Sequence, residues 1–233
     1  MTIKPNQVDD SVEELIAPSH QPSRRKFLAT AGGFSVLSVL AMSSSCKKSS
    51  SSNGGVDLGG GDTGILNYAY ALEQLEAAFY IKVMASPYSS MSAAEASYLT
   101  DIRDHEIAHR EFFKAALGSN AIPGLEVNFA SIDFTSRTSV LGTAKAFEDL
   151  GVSAYNGAGQ LLQSADYLTL AGKIVSVEAR HAALIRDLIS PGSFADSTAV
   201  DSNALDMART PSAVLAIAGA YISTKIDASH LPS

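Results

Sequence analysis

Two stretches of the chain place a carboxylate and an imidazole three residues apart: Glu106-Ile-Ala-His109 and Glu178-Ala-Arg-His181. Residues three apart on a helix share a face, so each pair can offer an oxygen and a nitrogen to one point in space. One such spacing means little in a chain with ten Glu; two of them among five histidines mean more. Glu73 and Glu148 add two further carboxylates, each followed seven residues later by a tyrosine, Tyr80 and Tyr155. Seven residues is two helical turns, which puts each tyrosine on the stripe of its own Glu. Four Glu and two His gathered in an apolar core would be very costly if ionised and unpaired. Two divalent cations balance four carboxylate charges, and hard oxygen donors with one imidazole per ion suit Fe or Mn, with Fe the first choice. The expected ligands are therefore Glu73, Glu106, His109, Glu148, Glu178 and His181, with Glu106 and Glu178 in bridging roles.

Other residues near these motifs have plainer readings. Glu76 lies one turn beyond Glu73 and is the alternative first-helix ligand. Glu73 is preferred because its interval to Tyr80 equals that of Glu148 to Tyr155. Glu76, Tyr80 and Tyr155 are then expected just behind the ligands. A buried tyrosine hydroxyl needs a partner, and a ligand carboxylate can supply one; a redox-active tyrosine is the sharper version. His105 points about 100° round the helix from Glu106 and is read as a surface group or a support behind the ligands. Arg180 is expected to pair with an acid outside the site. Gly151, Gly157 and Gly159 weaken a helix intrinsically, and close approach of a neighbouring backbone would compensate.

Helices must position this set. Apolar residues recur at helical spacing from Ile65 to Ala85, closed by Pro87. Ser92-Ala-Ala-Glu95 forms a capping box opening a second helix, which ends at Leu117-Gly118. A third pattern spans about Ser139–Gln163 and a fourth about Asp166–Ile189, stopped by Pro191-Gly192, and the short connection makes these two antiparallel neighbours. Some twenty residues separate the second helix from the third, with Pro123, Phe129, Ile132 and Phe134 available to anchor them along the bundle. A fifth helix is expected from Pro211 to Ile226, packed over the bundle end and too short to span a membrane.

The order Glu-x6-Tyr, Glu-x-x-His occurs twice, with 33 residues from Glu73 to Glu106 and 30 from Glu148 to Glu178. A near-duplicated helix pair of this kind matches the dinuclear carboxylate site of ferritin-like bundles, which also carry one long crossover connection. The segments ALEQLEAAFY, FEDLGVSAYNGAG and KIVSVEARHAALIRDL resemble ferritin-like domain proteins related to plant desiccation-related proteins. The resemblance covers about Ile65 to Ile189, including Ile-Pro-Gly and Ile-Asp-Phe in the crossover. The motif order is also similar to rubrerythrins, bacterioferritins and manganese catalases, which implies dimetal redox chemistry; for this branch it implies a fold and a stress role. The expected fold is all-α: a ferritin-like antiparallel four-helix bundle with one long crossover connection and an additional C-terminal helix. The expected division is 64–190 for the bundle and 191–233 for an extension carrying the fifth helix.

The first 45 residues read as an address. Arg24-Arg25 followed by Lys-Phe-Leu and a weakly apolar, Gly- and Ser-containing run resembles a twin-arginine export signal. Cys46, the one cysteine, follows that run and opens a Ser/Gly-rich linker over 46–63. It looks like a lipoprotein acceptor, although Ser43 departs from the aliphatic residue usual three positions earlier; ordinary cleavage near Ala41-Met42-Ser43 is the alternative. The expected location is the periplasm or cell envelope, with a membrane contact through a lipid anchor if Cys46 is modified. A route that carries folded proteins fits a metal loaded before crossing.

A formal net charge of −7 and no basic patch in the body make nucleic acid an unsuitable partner. The substrate expected of a dimetal oxidoreductase of ferroxidase, peroxidase or catalase type is a small oxidant (O2 or peroxide), a metal ion such as Fe(II), or a small organic reductant. The alternative is a non-catalytic envelope stress protein whose metal is structural or vestigial. Iron storage is a weaker reading, because a tethered chain with a fifth helix is a poor building block for a closed cage; a homodimer is compatible with the pattern.

Overall fold

The computed structural model describes residues 54–233. The paired arginines, Cys46 and the first part of the linker lie outside those residues. Four long helices form the bundle: α1 (Gly61–Ala85), α2 (Ala93–Leu117), α3 (Arg137–Gly159) and α4 (Ala165–Ile189). A short α5 (Pro211–Ala218) follows. This is a helical, four-helix bundle with an additional C-terminal helix.

Local chemistry sets the helix ends. The Ser92–Glu95 capping box forms as the sequence predicts: Glu95 N–H donates to Ser92 Oγ at 3.1 Å, and Ser92 N–H donates to Glu95 Oε2 at 2.9 Å. Ser136 and Ser164 cap α3 and α4 by accepting from Ser139 N and Tyr167 N. The α3–α4 turn is held by Asp62, whose carboxylate accepts from Gln163 N at 2.8 Å and Ser164 N at 2.9 Å. That contact needs α1 to begin at Gly61, four residues before the apolar periodicity starts. At its other end α3 stops at Gly159, short of Gln163.

The crossover connection runs along α1. Asn67 ties it down, accepting from Ile122 N at 3.0 Å while donating to Asn120 O at 3.0 Å and Leu58 O at 3.1 Å. Ile122, Phe129 and Ile132 are buried and Phe134 half-buried, whereas Pro123 is exposed and anchors nothing. Phe129 and Phe134 meet Phe79 at ring separations of 6.0 and 5.9 Å. Phe147 joins from α3 at 5.1 Å and carries Tyr221 at 4.8 Å.

The fifth helix is shorter than its composition suggests and packs against α3. After Gly219 the chain turns, and Ile226–Asp227 (β2) pairs in parallel with Val56–Asp57 (β1). Ser223 N–H also donates to Glu126 O of the crossover at 2.8 Å. A continued helix would have spent those backbone groups internally, and strands two residues long leave no periodicity to read. Among the described residues no helix is long and apolar enough to cross a membrane.

Candidate metal centre

The six side chains singled out by spacing meet in the middle of the bundle. Glu73 comes from α1, Glu106 and His109 from α2, Glu148 from α3, and Glu178 and His181 from α4. The four carboxylates are 0 % exposed. Two groups form and share Glu106 and Glu178: one adds Glu73 and His109, the other Glu148 and His181, with all donor atoms of a group within 4.8 Å of one another. In the first, His109 Nδ1 lies 2.8 Å from Glu178 Oε1, 3.5 Å from Glu73 Oε2 and 3.8 Å from Glu106 Oε2. In the second, His181 Nδ1 lies 2.9 Å from Glu106 Oε1, 3.4 Å from Glu148 Oε2 and 3.5 Å from Glu178 Oε2. Each shared Glu thus gives one oxygen to each group.

Although these atoms crowd together, none of the eight makes a hydrogen bond. Buried polar atoms are nearly always paired, so eight orphans side by side require an explanation. They aim past one another at common points, three oxygens and one nitrogen to each, and that donor set fits a hard cation. The remaining oxygens of the unshared carboxylates are occupied. Tyr80 OH donates to Glu148 Oε1 at 2.5 Å, and Tyr155 OH donates to Glu73 Oε1. Each tyrosine follows its own Glu by two turns, yet its hydroxyl crosses the bundle to the Glu of the other half.

The electrostatics of the protein without metal show what a cation would relieve. Burial pushes the Glu106 carboxyl well above the usual range, and the nearby Glu178 charge pushes the same way. Burial likewise raises Glu73, and brings Glu148 to about 7. Burial acts against both imidazoles too, but the surrounding carboxylates outweigh it and hold His109 and His181 at about 12. Glu178 is pushed up by burial but lies between those two imidazoles, which hold it down to about 2. Two imidazolium ions stand in for part of the positive charge the site requires.

The surrounding residues follow the sequence less closely. His105 supports one ligand: its Nδ1 lies 2.9 Å from His181 Nε2, with the two rings stacked at 5.2 Å. Its counterpart beside Glu178 is Val177, so only the His181 half has this support. Glu76 is buried but belongs to neither donor group. Burial and then the charges of Glu106 and Glu178 raise its carboxyl well above the usual range. Gly151 makes room for it, since a Cβ there would come within 3.0 Å of Glu76 Oε1.

The expected close backbone approach occurs at Gly157, where a Cβ would fall 1.8 Å from Arg209 O. Gly159 meets only the Leu168 side chain at ordinary distance. Arg180 is exposed and makes no ion pair among the described residues, contrary to expectation. The buried arginine is Arg186, which grips both oxygens of Asp149 at 2.7 and 2.8 Å and Thr198 Oγ1 at 2.8 Å. Sequence reading passed over it because an Arg in the last turn of a helix normally faces solvent and the helix dipole.

The sequence model of one protein family, described as a ferritin-like domain, matches residues 61–191, from the first residue of α1 to just beyond α4. Comparison with curated proteins finds no match.

Proposed function

The chain belongs to the ferritin-like domain family, and from that membership we propose that it is an exported dimetal-carboxylate protein acting in redox chemistry of the cell envelope under oxidative or desiccation stress. One observation carries the reading: eight unpaired donor atoms form two tetrads, each taking one oxygen of Glu106 and one of Glu178. One ion per tetrad would make two in all, Fe or Mn; Glu106 and Glu178 would serve both, with Glu73 and His109 holding one and Glu148 and His181 the other. Such a pair of ions, when bound, supplies one-electron changes at each metal for reaction with O2, peroxide or Fe(II). The protein's own part is to gather four carboxyl groups in a closed site, to fix two of them through Tyr80 and Tyr155, and to orient His181 through His105.

Export through the paired arginines, and anchoring through a lipid on Cys46, are the leader's contribution to this reading. The stress role rests on the resemblance to desiccation-related proteins. Metal content per chain, measured by plasma mass spectrometry on natively exported protein beside Glu106→Ala, tests the core of the proposal. About two Fe or Mn per chain, lost in the variant, is the expected result. Full metal content in Glu106→Ala would sink it.

A second reading is favoured by the complete burial of all four ligand carboxylates. In it the metal serves to hold the bundle together. Removing metal would then lower Tm by the linkage relation while no oxidant is turned over.

A further inference from the structure

An apolar pocket lies between all four helices on one side of the metal centre. It measures about 570 Å³ with open solvent at its mouth included, and the centre of a water-sized molecule can move through about 40 Å³ of it. Tyr155, whose hydroxyl holds Glu73, is part of its wall. The internal repeat explains why the pocket is there. An offset of 75 residues carries Glu73 to Glu148 and Tyr80 to Tyr155, and one of 72 carries Glu106 to Glu178 and His109 to His181. Under the same offsets Phe79, Val83, Leu99 and Leu188 correspond to Ala154, Ala158, Ala171 and Ala116. The first three of those large residues are at most 1 % exposed in the core beyond Tyr80. All four alanines line the pocket. One end of the bundle is filled, and its counterpart is hollowed out by four small residues.

One residue of the pocket wall carries an unpaired polar atom. Tyr68 is 1 % exposed, lines the pocket, and its hydroxyl has no hydrogen-bond partner. Its counterpart at the filled end, Thr143, is satisfied, donating to Ser139 O at 2.9 Å. A buried hydroxyl left unpaired is costly, and a ligand acceptor removes that cost. Concave apolar sites with a single placed polar group are the usual form of small-molecule sites.

We propose that this pocket binds an apolar organic substrate of the dimetal centre, its hydrocarbon body among the four alanines and one neutral oxygen acceptor on the Tyr68 hydroxyl. The inference rests on the dimetal reading for the word substrate; the pocket and its ligand chemistry stand apart from it. Fe(II) and hydrogen peroxide, both strongly hydrated, find nothing here to replace their water.

Acetophenone and ethylbenzene, alike in shape but differing in one carbonyl oxygen, test the idea with the metal-loaded protein by calorimetry and by soaking into crystals. Acetophenone is expected to bind with its oxygen at Tyr68 and to exceed ethylbenzene in affinity by about fivefold, a ratio that Tyr68→Phe abolishes. That variant removes an unpaired hydroxyl, so it leaves folding intact. Ala171→Leu and Ala116→Leu, which copy Leu99 and Leu188, should each exclude both probes while retaining the bound metal. No binding of either probe would overturn the proposal. So would xenon alone seating in the pocket, or an affinity ratio unchanged by Tyr68→Phe. Metal content measured on the same samples separates the two claims. Probes bound by a protein that takes up no metal would overturn the substrate role, and metal bound without probes would leave the dimetal reading standing.

Discussion

Around the metal centre the two halves of the bundle agree atom for atom: one terminal Glu, one imidazole and two shared carboxylates on each side, with a tyrosine behind each terminal Glu. One turn further out they part. Beyond Tyr80 the space is packed with Phe79, Val83, Leu99 and the aromatic cluster of the crossover connection; beyond Tyr155 the matching positions are alanines around a pocket. His105 backs His181, and Val177 stands where a partner for His109 would be. Charge balance accounts for the agreement, because a buried carboxylate that loses its counter-ion costs several kcal/mol. Nothing comparable constrains an apolar neighbour, which can be exchanged for a smaller one at the cost of a cavity. Symmetry is kept where electrostatics enforces it and given up where the halves can take on different tasks.

Experiments that break or sharpen this comparison differ in scale. The largest effect is expected from Glu178→Ala, which removes an oxygen from both tetrads. Both ions should be lost together, and with them the linkage stabilisation, about 4 kcal/mol per ion at free metal a thousandfold above Kd. Unfolding curves with and without metal would measure it; retention of one ion would show the halves to be less interlocked than their shared carboxylates imply.

Next, His109→Ala and His181→Ala should each cost one ion of two. The folded-state values of about 12 lie above the ordinary 6.5, so in metal-free protein this stabilisation is complete below pH 6.5 and fades as pH rises towards 12. Metal needs neutral imidazoles, so loading at pH 7 should release a proton from each, and affinity should fall as pH falls. A pH-stat titration should count fewer protons in either single variant.

His105→Ala probes the asymmetry directly. It should weaken the His181 position about 10- to 100-fold and spare the His109 position, which competition with a chelator would resolve into two steps. Equal weakening of both would mean that His105 acts on the whole centre.

The smallest effects should come from Tyr80→Phe and Tyr155→Phe, each of which strips one hydrogen bond from a buried carboxylate. A cost of about 1–3 kcal/mol is expected in urea unfolding of metal-free protein. Tyr80→Phe should be the more costly, because the packed end has no room for a water to replace the hydroxyl, whereas the pocket end does. The reverse order would remove the distinction between the two ends.

The sequence shows the ligand stripe because spacings of three and seven residues are properties of a single helix. Glu-x-x-His and Glu-x6-Tyr state which face each side chain occupies before any tertiary contact exists. What lies across a helix interface is not legible in this way. The exchange of hydroxyls between Tyr80 and Tyr155, the seat of His105 on His181 and the grip of Arg186 on Asp149 all depend on which helices become neighbours. Pro123 reads as an anchor by type, but the neighbouring Ile122 is the residue that faces α1. The fifth helix is overestimated for a related reason: residues 219–226 are composed like a helix but are drawn off by pairing with β1 and the crossover. The alanine-lined pocket is written in the sequence, yet only once the offsets of 75 and 72 residues define which positions to compare.

The crossed tyrosines have a consequence for ancestry. Each helical hairpin carries a tyrosine for the other's glutamate, so neither hairpin alone can assemble a complete half of the centre. A founding gene coding for one hairpin would have worked only as two identical copies face to face, both Tyr–Glu contacts formed between chains. Joining two such copies in one chain would change none of those contacts. It would free the two ends to differ, one filled with bulk and the other hollow, as they do here.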